Sequence, residues 1–288
     1  MKAKASLHLG IFLFVFIGSI KGQYDKNYVS QSSEVIEGEV YTVVEMTRLD
    51  ERVKVKYFAD ATNGVSVYNR YLNWSKNKSI IAASSGTYFS NEKLPRPVGI
   101  CLDDGIAINK TLITGKMDGF VIVYSTGGIV ASSLKEGNLS VNIANKPVTL
   151  NLNNLVDRVK FFNWGSQNGV TAFQTHLLYY KNKIQIFENS SENKRERRFM
   201  LATMNDKNVV NYYLVNLKGN NTLYAATQKV VKYIQNFTDN IVYMINLDTG
   251  AQDYYEVRDS DGKKINDESY SGVKDIKVSK NLLVFYFE

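Results

Sequence analysis

Cysteine, histidine and proline are scarce in this sequence. It contains one cysteine, Cys101, two histidines, His8 and His176, and three prolines in 288 residues. A single cysteine excludes an intramolecular disulfide framework, and two histidines exclude a zinc site built on several imidazole ligands. The low proline content excludes a collagen-like or proline-rich chain. We accordingly predict no metal site, and we expect no cofactor.

The first 22 residues have the three-part pattern of a secretory signal peptide. Lys2 and Lys4 form a basic start, residues 9–20 (LGIFLFVFIGSI) are largely apolar, and small and polar residues follow around Gly22. The apolar run is shorter than the roughly 20 residues that a membrane-spanning helix needs. We predict cleavage near Gly22 and a secreted or periplasmic protein without a stable membrane anchor. The alternative is an uncleaved anchor.

The charge of the chain argues against a nucleic-acid partner. The formal net charge of +7 falls by three, to +4, when Lys2, Lys4 and Lys21 leave with the signal peptide. The densest basic cluster, residues 194–198 (KRERR), contains a glutamate, and no aromatic side chains alternate with the basic ones. Such a cluster is typical of a solvated loop. The sequence leaves the oligomeric state open.

Residue periodicity predicts an α+β fold with a mixed multi-stranded sheet and two to three embedded helices. The helices are expected over residues 64–77, 153–164 and 222–236, among ten or more short strands. Residues 23–38 are polar and aperiodic, which predicts a flexible start to the mature chain. The composition, 44% hydrophobic and 22% charged, is that of a folded protein. Because no repeat or long linker divides the remainder, we expect a single domain over residues 39–288.

The first candidate site segment follows a predicted buried strand over residues 79–84. The chain continues through Ser85, Gly86 and Thr87. Small residues at the end of a strand allow a ligand to approach the backbone, where exposed amides bind anions. The alternative is an ordinary transition from strand to loop.

The second segment, residues 246–253 (NLDTGAQD), follows an apolar strand directly. Asp248 is its candidate acid or base, with Asn246 and Gly250 beside it. The alternative, which the segment by itself favours, is an Asp-Thr-Gly turn in a hairpin.

The third segment is the pair Arg197 and Arg198, because arginine binds phosphate through a planar bidentate fork. A salt bridge to a neighbouring glutamate is the alternative. We interpret His176 as a structural residue on a half-buried strand and Cys101 as a buried apolar residue. Residues 103–105 (DDG) are interpreted as a hairpin turn.

The order of these segments resembles the phosphodiester glycosidase family over residues 79–253. The family's strand ending in Asn-Gly-Gly/Thr-Phe/Tyr-Phe is matched by residues 85–89 (SGTYF). Its Arg-Thr-Ala-Ile-Gly motif is loosely matched by residues 198–202 (RFMLA), and its Asn-Leu-Asp-Gly-Gly-Gly-Ser-Ser by residues 246–253. Here Ser85 replaces Asn, Thr249 and Ala251 replace glycines, and Gln252-Asp253 replaces Ser-Ser.

The resemblance implies hydrolysis of a sugar-1-phosphodiester at the sugar side. It assigns Asp248 to the sugar or the attacking water, Arg198 to the phosphate, and Asn246 to the orientation of Asp248. Residues 85–87 and Gly250 are then expected to line the substrate pocket. These roles require the ends of two strands, remote in the chain, to meet in one cleft.

Three functions remain open at this point. The first is an exported hydrolase acting on a carbohydrate or sugar-phosphate substrate. The second is an inactive family member that binds glycans or cell-envelope polymer, which the lost glycines favour because a side chain now stands where backbone would approach a ligand. The third is an unrelated secreted interaction protein rich in β-structure.

Overall fold

The structure is a computed structural model, and it describes residues 24–60, 66–90, 96–115, 117–136, 139–189, 192–238, 240–250, 253–267, 269–270 and 275–288. The predicted signal peptide, residues 1–22, lies outside these ranges. No helix in the described ranges is long and apolar enough to cross a membrane.

Three α-helices and nineteen strands form within the described residues. The helices are α1 (Val67–Ser75), α2 (Leu155–Gln167) and α3 (Leu223–Gln235). The strands, in chain order, are β1 (Val29–Ile36), β2 (Glu39–Thr47), β3 (Val53–Ala59), β4 (Ser79–Ser84), β5 (Cys101–Asp103), β6 (Ile106–Asn109), β7 (Gly119–Val123), β8 (Ile129–Ser133), β9 (Leu139–Ile143), β10 (Lys146–Leu150), β11 (Thr171–Thr175), β12 (Leu177–Tyr180), β13 (Lys183–Ile184), β14 (Arg195–Met204), β15 (Val210–Asn221), β16 (Ile241–Leu247), β17 (Tyr255–Arg258), β18 (Lys264–Asn266) and β19 (Asn281–Phe287).

The strands form three large sheets and one separate hairpin. Sheet I has the order β1-β2-β15-β14-β16-β12-β13, sheet II the order β6-β5-β11-β7-β8, and sheet III the order β18-β17-β4-β19-β3. Strands β9 and β10 pair with each other. The fold is therefore broadly α+β, as predicted, and dominated by strands.

The predicted mixed sheet is wrong in one respect: every strand pairing among the described residues is antiparallel. Helices α3 and α1 do join strands that run in the same direction, β15 to β16 and β3 to β4. An antiparallel strand, β14 or β19, lies between the two in each case. The helical crossovers therefore create no parallel neighbours.

Each large sheet carries one helix on its outer face. Helix α3 covers sheet I through Leu223, Val230 and Ile234, which lie in one cluster with strand residues such as Phe199 and Val215. Helix α2 and the β9–β10 hairpin cover sheet II, and α1 covers sheet III. The inner faces of all three sheets share a central apolar core.

The residue spacing predicts that Leu223, Thr227, Val230, Val231 and Ile234 line the buried face of α3, and all five are buried. The sequence also predicts Asn221 as the N-cap, but the cap is Thr222, whose side chain accepts a hydrogen bond from the Ala225 amide. The spacing of Leu155, Val159 and Phe162 predicts that they line the buried face of α2, and this prediction is wrong for the first two. Leu155 and Val159 are exposed, and the helix packs through Phe161 and Gly165 instead.

Two expectations for the first strands also change. The polar residues expected to be flexible include β1, which pairs along its whole length with β2 as an edge strand, its side chains mostly exposed. The short charged turn at residues 48–52 predicts a hairpin of β2 with β3, and this hairpin does not form. Strand β2 pairs with β1 and β15 in sheet I, whereas β3 pairs with β19 in sheet III. The connecting residues Asp50 and Glu51 adopt positive φ angles of 53° and 57°, which turn the chain away.

Candidate functional site

The ends of β4 and β16 meet, as the sequence predicts. The backbone amide of Asp248, just past β16, donates a hydrogen bond to the carbonyl of Gly86, just past β4, over 3.0 Å. This contact joins the two loops although they are remote in the chain. It puts the candidate carboxylate beside the loop of small residues.

Asp248 occupies a sheltered position in this junction. It is 5% exposed, and its Oδ1 accepts a hydrogen bond from the Gly250 amide at 2.8 Å. Burial raises the pKa of the Asp248 carboxyl, while the Gly250 amide and the positive charge of Arg195 counteract the shift. A carboxyl group whose pKa is raised by burial suits proton transfer near neutral pH.

Asn246 and Tyr88 stand next to Asp248. Asn246 is buried, and its side-chain amide donates to the Tyr88 hydroxyl. Its backbone carbonyl accepts a hydrogen bond from Thr175 Oγ1 at 2.7 Å. Burial and then the charge of Asp248 raise the pKa of Tyr88 well above its usual range. The edge of the His176 ring meets Tyr88 at a centroid distance of 5.1 Å. Asn246, Tyr88 and His176 therefore form a set of contacting polar side chains next to Asp248.

Two arginines of β14, Arg195 and Arg197, contribute positive charge to the same region. Arg197 is 2% exposed and donates to the Asn193 carbonyl at 2.5 Å. The Nε atoms of both arginines are buried and have no hydrogen-bond partner among the described residues. Burial, and next the charge of Arg195, lowers the pKa of Arg197 to about 10. A Cβ added at Gly250 would lie 3.8 Å from a terminal nitrogen of Arg195.

The environment of Arg198 does not suit the phosphate-binding role that the sequence predicts for it. Its guanidinium is fully buried, forms an ion pair with the equally buried Asp253, and stacks over the Tyr255 ring at 4.3 Å. Its Nε donates to Asn216 Oδ1 at 2.7 Å. With its charge neutralised inside the protein, Arg198 is better explained as a link between sheets I and III than as a ligand for phosphate.

The loop of residues 85–87 lies beneath Asp248 rather than around an open pocket. Ser85 Oγ accepts from the Tyr254 amide at 2.7 Å, and Thr87 Oγ1 donates to the Gln174 carbonyl at 2.5 Å. The Gly86 amide donates to Asn281 Oδ1 at 2.6 Å. These contacts favour a supporting role for Ser85, Gly86 and Thr87 over direct contact with substrate.

The two-residue period of a strand explains which arginines reach the site. Phe199 and Leu201 face α3, whereas Met200 and Ala202 face the central core. Arg197 therefore lies on the α3 face of β14, as does Asn246, which pairs with Phe199, and Arg198 points to the opposite face. A register shift between Arg195 and Arg197 interrupts the alternation, and Arg195 is placed near the site by its charge, which acts on Asp248 and Tyr88. This alternation is a signal that reading the pair Arg197 and Arg198 as one unit overlooks. The sequence gives no signal for Tyr88 beyond its place in residues 85–89, and it favours a structural role for His176.

Three other sequence interpretations concern structural residues. Cys101 is fully buried, as predicted. Residues 103–105 include the predicted turn between β5 and β6, but Asp103 is itself buried and forms an ion pair with Arg70. Among the described residues, no group of three or more His, Cys, Asp and Glu side chains is arranged to hold a metal ion.

Comparisons with known proteins establish the fold. No protein-family profile matches the sequence, and no curated protein matches it. The structure is similar to the catalytic domain of zebrafish N-acetylglucosamine-1-phosphodiester alpha-N-acetylglucosaminidase, auto-inhibited by its pro-peptide. The TM-score is 0.50 at 13% identity over 90% of this chain and 82% of that chain.

Two further solved structures show weaker similarity. A hypothetical protein from Synechocystis gives a TM-score of 0.46 at 10% identity, over 90% of this chain and 62% of that chain. A protein described as exported, from Burkholderia pseudomallei, gives 0.42 at 11% identity, over 86% and 74%. The similarity to the zebrafish catalytic domain shows that the chain shares its fold with the catalytic domain of a hydrolase.

Proposed function

We propose that this chain is an exported hydrolase that cleaves a sugar-1-phosphodiester at the sugar side. The observation that carries the proposal is the junction of the two strand ends, at which the buried Asp248 is held by Gly86 and Gly250. The fold shared with a hydrolase catalytic domain supports it. A secreted or periplasmic location, after cleavage near Gly22, is part of the same proposal.

The chemistry required is modest and fits the groups present. Cleavage between the sugar C1 and the phosphodiester oxygen passes through a cation-like sugar carbon, which a nearby carboxylate stabilises. The leaving group is a phosphate monoester, which departs as an anion and needs little protonation. We assign Asp248 to the sugar carbon or to the attacking water, and Asn246 and Gly250 to its orientation.

The positive charge for the leaving phosphate comes, in this proposal, from Arg195 and Arg197. The charge of Arg195 acts on Asp248, the charges of both arginines act on Tyr88, and both have a buried Nε without a partner among the described residues. Two neighbouring cations repel each other, and a bound phosphate would relieve that repulsion through charge-assisted hydrogen bonds. Arg198 takes no part, because Asp253 already neutralises it.

The test is an incubation of the purified protein with a panel of sugar-1-phosphate diesters, with release of free reducing sugar as the readout. We expect at least one diester to be hydrolysed and the Asp248→Asn variant to lose about 10²-fold or more in rate. Asp50→Asn, an exposed carboxylate outside the site, is the matched control. Absence of release from every diester contradicts the proposal.

A second candidate is an inactive member of the same fold that binds glycans or cell-envelope polymer. The buried pair of Arg198 with Asp253 favours it, because Asp253 stands where the phosphodiester glycosidase pattern has serine and it removes the charge of the motif arginine. The same diester panel separates the two candidates. Glycan binding without any release of sugar supports the second.

A further inference from the structure

A cavity of about 520 Å³ lies at the other end of sheet I from Asp248. It opens between the ends of β1, β2, β14 and β15 and the C-terminal turn of α3. Thr203 lies in its wall, six residues along β14 from Arg197, which corresponds to about 20 Å of strand. The body of α3 packs on the sheet between the two places. The volume of the cavity is in the range of small-molecule sites, about 300–1,000 Å³.

The charge of the wall excludes an anionic ligand. Among the described residues of the wall, three are carboxylates, Glu34, Glu45 and Asp206, and none is a lysine or an arginine. The C-terminal end of α3 adds the negative end of the helix dipole. A phosphate or carboxylate ligand would meet only like charge there, so this cavity and the Asp248 site select different ligands.

Two of the three carboxylates of the wall, those of Glu45 and Glu34, are hydrogen-bonded to neutral donors. Oε1 of Glu45 accepts from the Tyr213 hydroxyl at 2.8 Å and from the Asn211 amide at 3.4 Å, and its Oε2 accepts from Ser30 Oγ at 3.4 Å. The Tyr233 hydroxyl is hydrogen-bonded to Ser32 and Glu34. The acceptors are thus arranged for hydroxyl and amide donors, which is the kind of donor that a sugar presents.

One acceptor in the wall has no partner. Oδ1 of Asn211 is buried and makes no hydrogen bond among the described residues. A buried acceptor without a donor destabilises the folded protein, and a donor from a ligand would remove that penalty. A hydroxyl group is suited to the position because it also offers lone pairs to the neighbouring amide and hydroxyl groups.

An aromatic platform completes the wall. Phe237 is 63% exposed, and its ring meets Tyr233 edge to face at 5.2 Å. Tyr233 in turn stacks on Tyr41 at 5.0 Å, which fixes its ring in place. An exposed ring beside polar side chains suits a ligand with one apolar face and a hydroxylated edge, as a pyranose has.

From these observations we infer that the cavity is a binding site for a neutral saccharide, separate from the Asp248 site. The probes are glucose and N-acetylglucosamine as neutral sugars, glucosamine and choline as cations, and glucose-1-phosphate as an anion. Binding to the full chain is measured by saturation-transfer NMR and isothermal titration calorimetry. We expect a neutral sugar to bind with a dissociation constant of about 1 mM or tighter, and the Asp248→Asn variant to bind it equally well.

Variants locate the site. Phe237→Ala, at a largely exposed position, is expected to weaken binding of the neutral sugar about tenfold, as is Asn211→Ala. Tenfold corresponds to about 1.4 kcal/mol. Glu45→Gln is expected to retain binding within about threefold, because an amide oxygen still accepts a hydroxyl donor.

Two results overturn the inference. The first is the absence of binding by both glucose and N-acetylglucosamine, whether or not glucosamine or choline binds. The second is unchanged affinity in both Phe237→Ala and Asn211→Ala. Because Asp248→Asn is included in the binding series, a failure of the saccharide site and a failure of the proposed hydrolysis are distinguishable.

Discussion

The guanidinium of Arg198 and the carboxylate of Asp253 form an ion pair in which both side chains are fully buried. The pair connects β14 of sheet I to the segment that leads into β17 of sheet III. Asn216 and the Tyr270 amide satisfy other polar atoms of the two side chains. Such a pair specifies how the sheets meet, and removal of one partner leaves a buried charge without compensation.

We therefore expect Asp253→Asn to lower the free energy of unfolding by about 3–5 kcal/mol, measured by urea denaturation. The double variant Arg198→Met with Asp253→Leu should recover most of that loss, because it removes both charges. Asp50→Asn serves as the control. A loss below about 1 kcal/mol in Asp253→Asn would show that the pair contributes little.

Asp248→Asn is expected to stabilise the protein at neutral pH while it abolishes activity. Burial raises the pKa of Asp248 in the folded state above its unfolded value, so the folded state binds the proton more tightly. Stability therefore falls as pH rises from the unfolded pKa, about 3.9, through the folded pKa. The amide side chain lacks this titration.

The measurement is the unfolding temperature of both proteins from pH 3 to pH 8. The advantage of Asp248→Asn should be largest at pH 7–8 and should vanish below about pH 3.9. Equal pH profiles for the two proteins would contradict the buried environment of Asp248.

Arg195→Ala is expected to raise KM for a sugar-1-phosphodiester about tenfold or more, because one charge-assisted contact to phosphate is lost. KM for a neutral aryl glycoside should change little, since its leaving group carries no phosphate. Steady-state kinetics on both substrates measure the difference, with Lys183→Ala as the control. An equal effect on both substrates would remove Arg195 from phosphate binding.

Gly86→Ala is expected to destabilise the protein by about 1–3 kcal/mol, because the added Cβ would lie 2.8 Å from Tyr57, a fully buried ring. The overlap should also displace the Gly86 carbonyl that holds the Asp248 amide. Gly128→Ala is the matched control, since the nearest atom to its added Cβ is a flexible arginine nitrogen at 3.4 Å. Thermal unfolding of both variants measures the effect, and equal stability would contradict it.

The sequence predicted the elements whose periodicity is strong. Helix α3 has five apolar or small residues on one face, and the face was assigned correctly. Helix α2 was misread because Leu155 and Val159 are apolar but exposed, while its contact with β5 depends on Gly165. A Cβ at Gly165 would lie 2.8 Å from Leu102, a close approach that only the tertiary structure reveals.

The sequence also predicted that two loops remote in the chain meet, because their motifs occur in a recognisable order. It did not predict which arginine faces Asp248. Arg197 and Arg198 are adjacent, and a strand directs adjacent side chains to opposite faces. The ion pair of Arg198 with Asp253 and the cavity beside α3 depend on contacts between elements remote in the chain, which no local sequence pattern predicts.

The most direct test of the central claim is hydrolysis of a sugar-1-phosphodiester in ¹⁸O-labelled water by the wild-type protein and by Asp248→Asn. The account predicts that the released phosphate monoester carries no label, because water adds to C1 of the sugar, and that the variant releases almost none. Label in the phosphate, or an unchanged rate in the variant, would contradict it.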